Sequence, residues 1–178
     1  EFPSHNAPLR PIVLHAMITL AYCAGLRLGE IVSLTLGDLD VEGGQIEIRD
    51  TKFFKSRRLP LATGVLGVLR TYLDARAAAG APSVPEAPMW WTPLRRQGYS
   101  YSTTEKLLIR VLRGAGLKPE HGQHGPRVHD LRHTFVGHRM MQWYRDGVNP
   151  QSQLPHLSTY LGHKDIGSTL VYLNVTPE

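Results

Sequence analysis

One short basic stretch breaks the helical rhythm of this chain and limits what it can fold into. Gln45-Ile46-Glu47-Ile48-Arg49 alternates apolar and polar residues as a strand does. Arg57-Arg58-Leu59-Pro60-Leu61 looks like its partner, and Asp50 to Ser56 between them reads as a turn or a further short strand. Helical patterns stand on either side. From Pro11, a residue suited to a first helical turn, Val13, Leu14, Met17, Leu20 and Ala21 recur at helical spacing, with Gly25 as a stop. A short helix then runs to about Leu34. Val65 to Ala79 reads as a helix with Leu66, Leu69, Tyr72 and Leu73 inward and Gly80 as its stop. The pattern predicts a mostly helical α+β domain with a small antiparallel sheet.

Further along, Ala81 to Pro88 carries three prolines and reads as a loop, and Met89-Trp90-Trp91 as packing. Ser102-Thr103-Thr104-Glu105 has the spacing of a capping box, so a helix is expected from there to about Ala115, with Leu107, Leu108, Val111 and Leu112 inward. Val128-His129-Asp130-Leu131-Arg132-His133-Thr134 opens another helix, continuing through Phe135, Met140, Met141, Trp143 and Tyr144 to near Gly147. It sets His129 and Arg132 on one face, an imidazole beside a guanidinium, which suits a phosphate and a proton moving near it. Gln153 to Leu161 reads as a short helix closed by Gly162, followed by His163, a cap candidate in Asp165 and a last helix holding Tyr172. Residues 1–10 read as a linker or arm.

The 178 residues suffice for one domain with a sizeable core, and a net charge of +5 suits a polyanionic partner. Four basic residues, Lys52, Lys55, Arg57 and Arg58, concentrate charge on the hairpin. Either they form a solvated face or the hairpin presses them toward a phosphate backbone. Arg95 and Arg96 stand near Tyr99 and Tyr101, a mixture that suits nucleic-acid contact. The single cysteine, Cys23, sits in an apolar run and reads as a small core residue, so no disulfide framework exists and a reducing cytoplasm is the natural compartment. No apolar run is long enough to span a membrane, and no signal peptide is evident. The opening Glu1-Phe2-Pro3 lacks a Met and suggests a piece of a longer protein. Four histidines lie between His121 and His133, but their spacing matches no common structural zinc pattern and no cysteine is near.

Taken in order, Arg27 in Gly25-Leu26-Arg27-Leu28-Gly29-Glu30, Lys52 in the basic hairpin, His129, Arg132, His163 in Leu161-Gly162-His163, and Tyr172 nine residues later form a set. It resembles the catalytic domain of the tyrosine recombinases, the phage-integrase family, over about residues 8 to 176. The resemblance implies the family's DNA breaking-rejoining fold across residues 1–178. It also implies cleavage and rejoining of double-stranded DNA through a 3′-phosphotyrosyl intermediate, without metal or other cofactor. Tyr172 matches the nucleophile, Arg27 and Arg132 the arginines that clamp the non-bridging oxygens, and Lys52 the hairpin general acid. His129 matches the histidine that assists proton transfer at the tyrosine, and His163 the second histidine, which hydrogen-bonds the phosphate. Glu30 matches the acidic residue that supports the site. Lys55 is the rival of Lys52, which is favoured because it stands eight residues before Pro60. Tyr160 is the rival of Tyr172 but is expected to be packing, and His133 to be structural. Lys55, Arg57, Arg95 and Arg96 are expected to contact DNA.

The chain departs from the family pattern in three places. The helical DNA-clamping domain that usually precedes the catalytic one is not seen, an insertion stands around residues 147–157, and the chain stops six residues after Tyr172. The fragment alone is therefore expected to bind DNA weakly. Self-association on DNA, a tetrameric synapse, is expected of the full-length protein, located in the cytoplasm on the nucleoid. The alternatives are a type IB topoisomerase-like nicking-closing enzyme, a DNA-binding module with decayed catalysis, and a histidine-rich metal protein.

Overall fold

The computed structural model describes residues 7–50, 55–120, 123–163 and 167–170. Within them the chain is mostly helical with two small antiparallel sheets. Helix α1 (Arg10–Cys23) begins with a proline in its first turn, where the absent N–H costs nothing. It buries Val13, Leu14, Ala16, Met17, Leu20 and Ala21. Cys23 lies about 200° around the helix from Ala21 and is exposed, so the expectation of a core cysteine is corrected.

After Gly25 the chain enters α2 (Leu28–Ser33) and then a 3₁₀ turn at Leu36–Asp38. Strands β1 (Leu39–Asp40), β2 (Gln45–Asp50) and β3 (Lys55–Pro60) form an antiparallel sheet in sequence order. In its register Ile46 faces Leu59 and Ile48 faces Arg57. Ile46, Ile48 and Leu59 are buried, which fixes the inward face of both strands.

Helix α3 (Thr63–Ala78) packs Val65, Leu66, Leu69 and Tyr72 against α1 and the sheet, while Leu73, expected inward, is only half-buried. It also buries Arg76, whose guanidinium donates to the carbonyls of Pro82, Pro88 and Met89. A buried charge is tolerated because its donors are satisfied, and here they anchor the proline-rich loop. Next to it the Trp90 indole N–H donates to the Ile31 carbonyl, tying the loop to α2. The short hairpin β4 (Trp91–Thr92) and β5 (Gln97–Gly98) follows.

Helix α4 (Tyr101–Gly114) starts two residues earlier than the Ser102 box predicts. Ser100 has the extended backbone an N-cap needs, and its hydroxyl accepts from the Thr103 amide. Leu108 and Leu112 join Leu14, Leu28 and Val128 in a cluster, with Leu107 and Val111 at its margin. Helix α5 (Asp130–Arg145) buries Phe135, Val136 and Met140 against Leu154, Leu157 and Leu161 of α6 (Pro150–Leu161). Residues 147–157 are therefore largely one side of a core helix rather than an appended loop. Among the described residues the final helical stretch is α7 (Gly167–Leu170).

Among the described glycines with positive φ, Gly25 makes the closest approach to its surroundings. Its φ is +64°, and a Cβ there would sit 2.5 Å from the Phe135 ring. Gly25→Ala therefore combines left-handed strain with a core clash and is expected to lower stability by about 2–4 kcal/mol. Gly67→Ala, in the exposed middle of α3 with open space around it, is expected to raise stability by about 0.5–1 kcal/mol. Thermal or urea unfolding of the two variants checks the opposite signs.

Candidate active site

Three elements end at one place: the N-terminus of α2, the N-terminus of α5 and the C-terminus of α6, with β3 beside them. Arg27 precedes α2, and Glu30 reaches back from its first turn. The Glu30 carboxylate accepts from the Arg27 amide at 2.9 Å and from the Arg27 guanidinium at 3.0 Å. Arg127 and Asp130 repeat this arrangement at α5, with the Arg127 amide donating to Asp130 at 2.8 Å and its guanidinium at 3.2 Å. Spacing of three residues brings a carboxylate back over the first orphan N–H groups of a helix, where it also meets the dipole's positive end.

Glu30 does more than cap. Its Oε1 also accepts from Arg57 at 2.8 Å, and its Oε2 lies 3.8 Å from Arg132. One carboxylate thus faces three guanidinium groups. Burial pushes the Glu30 carboxyl up. The Arg57 charge, the Arg27 amide, the Arg57 hydrogen bond and the Arg27 charge together outweigh it, and the group ends below its ordinary value of 4.5.

The C-terminus of α6 holds the same three arginines from the other side. Gly162, at φ +65°, closes the helix: its amide donates to the Thr159 carbonyl and the His163 amide to the Ser158 carbonyl. The next three carbonyls each accept from an arginine. Arg57 Nε donates to Tyr160 O at 2.8 Å, Arg132 Nη2 to Leu161 O at 2.7 Å and Arg27 Nη2 to Gly162 O at 3.3 Å. Arg132 also donates to Gly25 O at 2.8 Å and is only 1% exposed. Orphan carbonyls at a helix C-terminus carry partial negative charge, so guanidinium groups satisfy both the hydrogen bonds and the field.

His163 follows directly. Its Nε2 lies 3.1 Å from Arg132 Nη2, and its Nδ1 lies 2.8 Å from the hydroxyl of the buried Thr169. A guanidinium only donates, so Nε2 accepts here and Nδ1–H faces Thr169. His129 sits at the start of α5, its ring edge-on to His133 at 4.7 Å. Burial, then the charges of His133, Arg132, Arg127 and Arg27, hold it below the usual histidine value, so it is neutral near pH 7.

A cavity of about 700 Å³ opens over this cluster, lined among others by Arg27, Glu30, Arg49, Lys118, Arg127 and His129. Its basic walls suit a phosphate-bearing polymer. Of the residues singled out in the sequence, the structure brings Arg27, Glu30, Arg132 and His163 into one bonded cluster, with His129 on the wall beside Arg27. Lys52 and Tyr172 lie outside the described residues, as does the side chain of Lys55.

Arg57 is the main correction. It was expected to contact DNA, yet it points inward beside Leu59, 14% exposed and bonded to Glu30 and Tyr160. Alternation carried that signal, since residues two apart on a strand share a face. Arg95 lines a separate cavity of about 250 Å³ with Arg10, Ser100 and Thr103, and Arg96 is an exposed turn residue at φ +51°. Tyr160 donates to Ala24 O at 3.2 Å, stacks on Phe135 and is pushed up in pKa by burial, which places it in packing. His133 lies 4.0 Å from Asp130, and among the described residues no cluster of three or more His, Cys, Asp or Glu side chains could hold a metal. Thr169 and the carbonyls of Gly25 and Gly162 were not singled out in the sequence: a backbone acceptor leaves no residue signature, and a lone threonine hydroxyl near a histidine leaves a weak one.

Comparison with known proteins gives a family for this geometry. The model of the phage integrase family matches residues 4–178. The chain belongs to the phage integrase family. It is 37% identical over 173 residues to the putative integrase/recombinase y4rB of Sinorhizobium fredii, covering 96% of this chain and 54% of that protein. It is 33% identical over 160 residues to the tyrosine recombinase XerC of Stutzerimonas stutzeri, covering 90% of this chain and 47% of that protein. The crystal structure of the XerH site-specific recombinase bound to difH substrate, a pre-cleavage complex, has a TM-score of 0.70 at 20% identity, covering 97% of this chain and 45% of XerH. That likeness shows the fold. The chain spans about half the length of the curated relatives it matches.

Two titrations follow from the cluster. Glu30 is depressed on folding, so it adds stability above the unfolded carboxylate range, and this stability is lost as pH falls through the folded value. Glu30→Gln is expected to cost about 2–4 kcal/mol at pH 7, where it leaves facing guanidinium groups without their carboxylate, and to flatten the acid limb of Tm against pH. For His129, an NMR titration is expected to give a pKa below 6.5, rising when inorganic phosphate is added and enters the cavity.

Proposed function

We propose that this chain is the catalytic domain of a tyrosine site-specific recombinase, cleaving and rejoining double-stranded DNA strands. The observation that carries this is the convergence of Arg27, Arg132 and His163 on Glu30 and the end of α6, beneath a basic cavity. These residues stand in the order and spacing of the family's catalytic set. The relatives, a putative integrase/recombinase and a tyrosine recombinase, favour recombination over supercoil relaxation.

In this mechanism Tyr172 Oη attacks a backbone phosphorus and forms a P–O bond while the P–O5′ bond breaks. The tyrosine proton passes toward His129, which is neutral and able to accept it. The departing 5′-oxygen takes a proton from Lys52. A 3′-phosphotyrosyl link and a 5′-hydroxyl result, and attack by another 5′-hydroxyl reverses the steps without a nucleotide cofactor. Arg27, partly exposed to the cavity, and Arg132 beneath it stabilise charge on the non-bridging oxygens. His163 hydrogen-bonds the same phosphate through Nε2–H, which requires the proton on Nε2 and release of the Arg132 contact, with the Thr169 hydroxyl turned to donate to Nδ1. Lys55, Arg95 and Arg96 contact flanking DNA backbone. Recombination implies self-association on DNA, and the XerH complex with difH supports a DNA partner. Among the described residues no helix is long and apolar enough to cross a membrane. A nucleoid location in the cytoplasm fits a DNA substrate.

Duplexes nicked beside the cleavage position trap such a covalent complex, because the short 5′ fragment diffuses away. A library of nicked duplexes from the DNA flanking the gene is expected to yield a slower-migrating protein–DNA band after denaturation. Tyr172→Phe is expected to abolish the band, and Arg27→Ala to slow its formation by about 100-fold or more. A band that survives Tyr172→Phe, or none from any duplex that the chain binds, overturns the reading.

A further inference from the structure

The third arginine of the cluster has no part in the steps just described. We propose that Arg57 is a positioning residue: it locks Glu30 to the end of α6 and so sets the two guanidinium groups that face the phosphate. This rests on the recombinase reading and deepens it.

The geometry carries the inference in three ways. First, the fork of Arg57 is divided between two elements. Nη2 donates to Glu30 Oε1 and Nε to Tyr160 O, both at 2.8 Å. Glu30 and Tyr160 belong to helices far apart in the chain, and Arg57 joins them from β3. Second, Gly162 lies against the guanidinium so closely that a Cβ would come within 2.6 Å of Nη1. The backbone that turns into His163 therefore rests on the Arg57 plane. Third, Arg57 works through the same two acceptor groups that hold the clamp. It shares Glu30 Oε1 with Arg27, and its carbonyl, Tyr160 O, directly precedes those that hold Arg132 and Arg27. A shift of Glu30 or of the α6 end moves both arginines and His163 together.

A lysine cannot replace this. Its single ammonium lacks the planar fork needed to bridge a carboxylate and a carbonyl at fixed spacing.

The test compares wild type, Arg57→Ala and Arg57→Lys in single-turnover trapping at saturating nicked DNA, with DNA affinity measured across a salt series. A positioning role predicts trapping rates about 10–100-fold lower in both variants. Affinity and its salt slope stay unchanged. Millimolar methylguanidinium is expected to restore Arg57→Ala saturably while leaving wild type unaffected. A salt slope reduced by about one, with a normal rate at saturation, would make Arg57 a phosphate contact and overturn the proposal. Unchanged rates overturn it too, as does a loss that tracks the folded fraction and resists methylguanidinium. Should Arg57→Ala not fold, Arg57→Lys decides alone, a wild-type rate sinking the idea. If the wild type traps nothing, the recombinase reading has failed instead. The ¹⁵N-histidine spectrum of the DNA-free protein then decides the positioning role: a shifted His163 resonance in Arg57→Lys supports it, and an unmoved one overturns it.

Discussion

The site depends on a carboxylate and a helix end that share three arginines. Guanidinium groups repel one another, and bringing three together in a partly buried place is unfavourable unless negative charge is fixed between them. Glu30 supplies a full charge, and the C-terminus of α6 supplies the partial charge of its last carbonyls. Neither alone holds the geometry. The carboxylate sets the arginines' distance from α2, and the carbonyls at 160, 161 and 162 set their spacing along α6. Because the carbonyls are backbone, their spacing is as rigid as the helix itself.

The surrounding core exists largely to hold these two anchors still. Trp90 pins α2 through Ile31 O, and Arg76 pins the loop that carries Trp90. On the other side Phe135 packs between the Gly25 turn and Tyr160, so one side chain joins α5, α6 and the α1–α2 junction. Glycine is required where a left-handed backbone also meets a side chain at close range, at Gly25 against Phe135 and at Gly162 against Arg57. A methyl group at either place would push an arginine acceptor off its position.

Much of this was legible in the sequence, for physical reasons that differ by element. Period-2 alternation gave the β2–β3 hairpin, and helical spacing gave α1, α3 and α5 to within a few residues. The α6 N-terminus was missed because Asn149-Pro150 resembles a loop, although it is an N-cap followed by an N1 proline. Among the candidate site residues, Arg27, Glu30, Arg132 and His163 were singled out by their order, and the structure brings them into one bonded cluster. Arg57 was misplaced because its charge outweighed its position: it shares a face with Leu59, and the alternation that located the strand also pointed it inward. Cys23 failed in the opposite sense, its apolar neighbours suggesting burial that the helical angle denies. The carbonyl acceptors were invisible, since any residue provides one.

The charge balance of the cluster bears on the proposed chemistry. Three guanidinium groups face one carboxylate, so the four side chains carry an excess of positive charge even after the α6 dipole is counted. Burial first, and then the neighbouring charges, hold His129 below the usual histidine value, so it adds no charge to this excess. A phosphodiester brings one negative charge, and its pentavalent transition state carries more. A preorganised cationic socket therefore binds the transition state better than the ground state, which is what accelerates a reaction. The same excess would pull the socket apart without Glu30. The residue that limits the positive charge is thus the one that allows it to be concentrated at all.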